Sequence, residues 1–421
     1  MNVECLKKWI YALFFSYHVL TVCLVAILEP FPADIDELAH YSYIRHASDN
    51  KSLFTDYHAN YLLLEEDLAS WSDKNNYLNH PSMYYLFLGN ALNITGDDPD
   101  WEIRVLRTSN LLISSLAIII LLLVGFTVFH TAGSFFVYAA AVTLIPKLGI
   151  VGGIINNDNQ ALFGSALVFL GMVHIVNKRI TFGNSLLTGL GFCLAALAKL
   201  TAGLSMGLMI VFVHLFNINE FYGLIKDRLI YLFTFLVLIL VGIAPYVVNL
   251  YRLGSPLYIN YSAYAEPYSN THLNLDFYGF IAHFFSRMIE KWAAYEPSNI
   301  YQIASLFCLL LLAALGLWRL GGSDKSSSPF RFLVFGAFSA IGCVMVAHIY
   351  HLYTMYLSTG HLGGATIRYY IPVWPAVALA AGFGIDAIKS ERIRIYTSIL
   401  VFALLISSTA PFAIAWHLLA T

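Results

Sequence analysis

The stretch EPFPADIDELAHYSYIRHA, residues 29–47, follows directly on an apolar run at 9–29 and crowds Glu29, Asp34, Asp36, Glu37 and His40 into twelve positions. Pro30 and Pro32 remove backbone donors and stop the preceding helix. An apolar helix that ends at once in carboxylates reads as a chain leaving a bilayer. The rest of the sequence repeats that change of texture.

Hydrophobic residues make up 59% of the chain and charged residues only 11%, with a mean hydropathy of +0.69, far outside the range of soluble domains. Apolar runs lie at 9–29, 109–128, 132–150, 159–177, 184–198, 202–217, 229–248, 303–318, 332–352, 370–387 and 395–416. Open sheet edges cannot be satisfied in lipid, so the runs are read as helices. The expectation is an all-α multi-pass membrane protein with about eleven transmembrane helices in one domain, 1–421. The first run follows Lys7 and Lys8 but is long and has no small-x-small site after it, so it is read as an anchor and not as a cleaved signal.

With the N-terminus in the cytoplasm, Lys7, Lys8, Lys178, Arg179, Arg319 and Arg394 all fall on short inner segments, as the positive-inside rule asks. The same parity puts the two long loops, 30–108 and 249–302, outside, and the first of these is acid-rich and expected to carry amphipathic helices. The runs 184–198 and 202–217 are each short of the bilayer core. A hairpin whose turn, AKLTAG, is sunk below the outer surface satisfies both length and charge parity.

Five cysteines lie outside the predicted outer loops and form no C-x-x-C, which argues against disulfides and zinc ribbons. A net charge of −2 offers no basic face for nucleic acid. No P-loop, G-x-G-x-x-G or G-x-S-x-G pattern is present. His348, His351 and His361 follow no recognised zinc spacing, so no metal ligands are assigned. Asp34-Ile35-Asp36 is a D-x-D that leaves a divalent cation open.

Several polar residues remain on the outer side. Asp34 and Glu37 have the spacing of a capping box, whereas Asp36 points away from that box, one turn before His40 on the same face. Asp36 therefore reads either as a favourable charge at a helix start or as a general base beside His40. NHPSMYYL, 79–86, places His80 before an aromatic face suited to a helix lying along the interface. Asp158 in INNDNQ reads by default as a helix cap and otherwise as a substrate contact. Lys199, in the sunken turn, is an ionisable group at membrane depth. Arg368, next to Tyr369 in ATIRYYIPVWP, reads as an interfacial belt residue or, with Lys199, as a phosphate clamp.

DELAH, HPSMYY, NND, LAKLTAG and IRYYIPVWP, in that order over most of the chain, resemble the membrane glycosyltransferases of the GT-C superfamily, notably protein mannosyltransferase-like, aminoarabinose transferase-like and DUF2142-type bacterial membrane proteins. The resemblance implies an inverting enzyme that takes a sugar from a polyprenyl-phosphate donor and moves it to a glycan, lipid or protein acceptor on the outer face of the bacterial inner membrane. It implies Asp36 as the catalytic base, with Glu37 as its neighbouring acid. It matches Lys199 and Arg368 to family positions, the latter near the donor phosphate; His40, His80, Asp158 and Tyr369 join them as candidate substrate contacts from their own positions in the sequence. Lys199 departs from the family's usual TKG order, and no large soluble C-terminal domain follows the spans. A flippase for lipid-linked sugars, or a polymerase or ligase using diphosphate-linked donors, is the alternative.

Overall fold

The computed structural model describes residues 2–33, 35–95, 98–179, 181–217, 229–258, 275–292, 300–322 and 329–409. Asp34 lies outside the described residues, so the capping-box and D-x-D readings that need it do too.

Helix α1 (Val3–Leu28) starts where the Asn2 side-chain oxygen Oδ1 accepts from the Cys5 amide at 2.7 Å, and it ends before Pro30. α2 (Glu37–Asn50), a two-stranded antiparallel ribbon of β1 (Tyr61–Leu63) and β2 (Trp71–Asn75), α3 (Met83–Gly89) and a 3₁₀ turn (Asn90–Ile94) follow. This first loop was expected to hold interfacial amphipathic helices. It also folds around its own core: Tyr41, Tyr43, Tyr84 and Tyr85 are fully buried, and Met83 and Phe87 of α3 face outward. The tyrosines are inside because their hydroxyls find partners there, Tyr84 on Asn110 and Tyr85 on His40.

α4 (Pro99–Val128) begins with Asp98 as cap and proline in its first turn. Its 30 residues span about 45 Å, more than the ~30 Å of hydrocarbon, so its first turns belong to the loop layer. The run expected at 132–150 is not one straight helix. α5 (Ala132–Thr143) and α6 (Pro146–Gly153) meet at a 53° bend. Pro146 removes an amide there, and Ile145 before it is pushed to extended backbone.

α7 (Asp158–Val176) packs against α8 (Phe182–Ala198) through glycine: a Cβ on Gly164 would sit 2.5 Å from the Ala195 amide nitrogen. α9 (Leu200–Phe216) folds back on α8, with Gly203 against Ala196 and Gly207 against Phe192, which is the expected hairpin. The remaining helices are α10 (Leu229–Leu253), α11 (Phe277–Glu290), α12 (Ile300–Gly321), α13 (Arg331–Thr359), α14 (Trp374–Ala387) and α15 (Glu391–Thr409), with a 3₁₀ turn, Ile367–Val373, leading into α14. α11 lies in the second long loop and buries Phe280, Phe284 and Met288 on one face.

Each of the eleven apolar runs falls on a helix or, at 132–150, on the bent pair; the last is described only to residue 409. Among the described residues seven helices are long and apolar enough to cross a membrane, eight with the bent pair taken as one span. α8 and α9, at 17 residues each, fall short of that length. The protein is a multi-pass integral membrane protein, and among the described residues its only strands are those of the β1–β2 ribbon.

Candidate active site

Pro30 and Pro32 turn the chain so that Asp36 precedes α2 in the left-handed region, at φ 61°. Aspartate tolerates that region better than most residues, because its short side chain bonds locally. Asp36 caps no amide of α2 with its side chain, so the carboxylate is free to face across the fold. Tyr77 donates to its Oδ1 at 2.8 Å, and Arg368 donates to Oδ2 at 2.6 Å across 332 residues of chain. Burial alone would raise the pKa of this carboxyl. The charge and hydrogen bond of Arg368 outweigh burial and hold it well below the usual carboxylate range.

Arg368 is shared. Its Nε lies 3.3 Å from Asp158 Oδ2, at ion-pair distance though not aligned as a hydrogen bond. The other Asp158 oxygen accepts from Lys199 Nζ at 2.7 Å. Asp158 does not cap α7, contrary to its default reading; Asn156 takes that work, its Oδ1 accepting from the Asp158 amide at 2.9 Å. Two carboxylates and two cations thus form one neutral chain, Asp36 to Arg368 to Asp158 to Lys199. Its open end is Asp36, with a side chain 30% exposed against 1% for Asp158. Neutralisation makes this much buried charge tolerable.

Lys199 sits at the one-residue break between α8 and α9, with extended backbone. The carbonyls left open at the end of α8 are met by side chains: Asn157 donates to Ala198 O at 2.7 Å, Tyr246 to Ala196 O at 2.6 Å and Gln160 to Leu194 O at 3.1 Å. The close glycine contact of α7 and α8 brings Lys199 within reach of Asp158. Its ammonium also lies 4.2 Å from the centre of the Tyr369 ring.

His40 was read beside Asp36, either orienting it or contacting substrate. Its Nδ1 is hydrogen-bonded with the Tyr85 hydroxyl at 3.0 Å, and its ring stacks on His80 at 6.3 Å, so it does not hold Asp36. Burial pushes His40 down to about 3, the opposing pull of Asp36 notwithstanding, and burial also pushes His80 well below its ordinary value. Both rings are therefore neutral at pH 7, and Tyr77 with Arg368 does the orienting.

Glu37, the second expected acid, is saturated. It accepts from Arg107 Nε at 2.9 Å and Nη2 at 2.7 Å, from the Ile155 amide at 3.0 Å and from the Ala33 amide at 2.9 Å, with no exposure. Arg107 in turn donates to Glu29 O at 2.6 Å and Pro30 O at 3.2 Å, closing the end of α1. The pair ties α1, α2, α4 and the α6–α7 turn together beneath Asp36.

Sequence reading missed Arg107, Asn110, Tyr77 and Tyr85. Arg107, Asn110 and Ser114 stand at i, i+3 and i+7, a polar stripe on an otherwise apolar span that pointed to a buried network. Among the described residues no three His, Cys, Asp or Glu side chains converge to hold a metal ion.

No protein-family model and no curated protein matches the chain. The crystal structure of ArnT from Cupriavidus metallidurans bound to undecaprenyl phosphate matches with a TM-score of 0.55 at 15% identity, over 94% of this chain and 63% of that one. The apo form of the same protein gives 0.54 at 16% identity, over 92% and 61%. The chain shares the fold of ArnT. It spans a little under two thirds of the length of ArnT, and over that span it shares the helical membrane architecture.

Proposed function

We propose that the protein is an inverting glycosyltransferase that moves a sugar from a polyprenyl-phosphate donor to a glycan, lipid or protein acceptor. It works on the extracytoplasmic face of a bacterial inner membrane, with its N-terminus in the cytoplasm. The observation that carries this reading is the half-open charge chain, in which Asp36, the exposed carboxylate, shares Arg368 with the buried Asp158 and Lys199 pair.

Arg368 and Lys199 are the anchors for the donor phosphate, and Tyr369 packs beside both cations. At rest Asp36 is a poor base, because Arg368 stabilises its anion. A phosphate arriving on Arg368 leaves the neutral network with excess negative charge and takes over part of the guanidinium. Asp36, the most exposed member, is the one displaced, and its affinity for a proton rises. It then removes the proton from the acceptor hydroxyl or amine as the new bond to the anomeric carbon forms and the bond from that carbon to the phosphate oxygen breaks. Polyprenyl phosphate departs as an anion held by Arg368 and Lys199. Base catalysis of this kind is worth about 10²–10⁴ in rate. His40 and His80, neutral and stacked, form a wall for the sugar, and Glu37 positions Asp36 through Arg107.

The test is release of free polyprenyl phosphate from a panel of polyprenyl-phosphate sugars by the full chain in lipid nanodiscs, with membrane extract as acceptor, read by mass spectrometry. Wild type releases it from one donor, and Asp36→Asn, which keeps the left-handed backbone accessible, falls by at least about 10². Equal release by both proteins removes Asp36 from the mechanism. Movement of donor between leaflets with no release favours the flippase reading.

A further inference from the structure

At the end of the bundle away from Asp36, a cavity of about 750 Å³ lies between the starts of α1, α5 and α15 and the end of α14. Its membrane face is fixed by the chain itself. α1 leads from this cavity to the Glu29 end where the acidic loop begins, and α14 leads from the turn bearing Arg368 to Ile385 in the cavity wall. Trp9 and Leu13 form one side and Ile395 and Ile399 another, all four well exposed along surface that a bilayer would cover.

The lining is mostly apolar, with the hydroxyls of Thr131 and Ser398 and two ionisable side chains, Glu391 and Arg394. Among the described residues neither side chain makes an ion pair or a hydrogen bond. The segment KSERIR, 389–394, sets three cations, Lys389, Arg392 and Arg394, against the single carboxylate of Glu391. The start of α15, whose backbone dipole favours negative charge, faces the same space, whereas the start of α5 already holds the Asp386 carboxylate, which accepts from Thr131 and Ser134.

We propose that this cavity binds one anionic glycerophospholipid of the leaflet on that side, its acyl chain between α1 and α15 and its phosphate on Arg394. Charge selects this occupant. A zwitterionic lipid would leave the cationic excess unmet, and a polyprenyl-phosphate donor would carry its phosphate to Arg368 at the other face. Basic pockets between membrane helices bind anionic headgroups for the same reason. The site uses none of the residues of the charge chain, so it stands or falls independently of the transferase reading.

The experiment is native mass spectrometry of the full chain taken from mixed micelles holding equal phosphatidylglycerol and phosphatidylcholine. The protein should retain phosphatidylglycerol about fivefold over phosphatidylcholine, the weight of one basic side chain at a lipid surface. Arg394→Gln should erase that preference. Gly133→Leu should release the lipid, since an added Cβ there meets only Ile385 Cγ2 at 4.0 Å and the side chain fills the cavity. Equal retention of the two lipids, an unchanged preference in Arg394→Gln, or displacement of phosphatidylglycerol by added polyprenyl phosphate or by a second copy of the chain would each overturn the proposal.

Discussion

Replacing Glu37 with Gln separates architecture from chemistry in the acidic motif. The carboxylate is fully buried and accepts four hydrogen bonds, two of them from Arg107, which is itself 5% exposed. The single carbonyl oxygen of glutamine can keep two of those donors, while its NH₂ group faces the other two. Breaking one side of a buried ion pair strands the remaining charge and costs about 3–5 kcal/mol, a large part of the ~5–15 kcal/mol that holds a typical domain together. Unfolding in detergent can be followed with a thiol-reactive dye, because Cys193 is buried in the folded protein. Glu37→Gln should unfold at markedly lower temperature, whatever its residual activity. Glu37→Leu combined with Arg107→Leu should recover much of the loss, since both charges go together. Recovery stays incomplete because the Glu29 and Pro30 carbonyls lose their donor. A Glu37→Gln protein of unchanged stability and abolished transfer would refute this account and return Glu37 to the chemistry.

Lys199→Met leaves Asp158 buried beside Arg368 alone; the same dye assay should register a loss of about 3 kcal/mol, and an unaltered melting temperature would mean that the pair carries no stability. Gly164→Val forces α7 and α8 apart at the Ala195 backbone, with an overpacking cost of about 1–3 kcal/mol, and should weaken donor binding by moving Lys199 from Asp158; unchanged stability would contradict the close contact. Stability should also fall with acid before any carboxylate titrates. His40 is held at about 3 when folded against 6.5 in the open chain, so between those values the unfolded state binds the extra proton and stability rises with pH. Going from pH 7 to pH 5 should therefore cost about 2 kcal/mol through His40, and a flat stability over that range would refute its buried, neutral state.

How far the sequence reveals the fold depends on the range of the interaction. Apolar runs are local, and each of the eleven lands on helix as far as its residues are described; Pro146 is equally local, yet its bend is hidden by the unbroken hydrophobicity of 132–150. Lys199 is legible as a charge at membrane depth, and its hairpin turn is found as expected. Its partner is less so, because Asp158 satisfies a cap pattern and nothing nearby says that Asn156 has taken the cap. Glu37 misleads for the same reason. It stands beside Asp36 in sequence, but one residue at φ 61° sends the two carboxylates to different partners, 332 residues away for Asp36 and 70 for Glu37. Such pairings are decided by tertiary packing, and no local periodicity encodes them.

The left-handed backbone at Asp36 also bears on why the proposed base is an aspartate at the very start of a helix. A residue one position later would join α2, where its carboxylate would stabilise amides and the helix dipole instead of meeting Arg368. Held just outside the helix, Asp36 keeps both oxygens for Tyr77 and Arg368, and it is the member of the charge chain most open to solvent. A base that is quenched by its own arginine until a phosphate competes for that arginine would remain inert toward water while the donor is absent. Glu37, locked beneath it by Arg107, supplies the fixed floor that such an exchange needs: Asp36 can let go of Arg368 without the loop unravelling from the ends of α1 and α4.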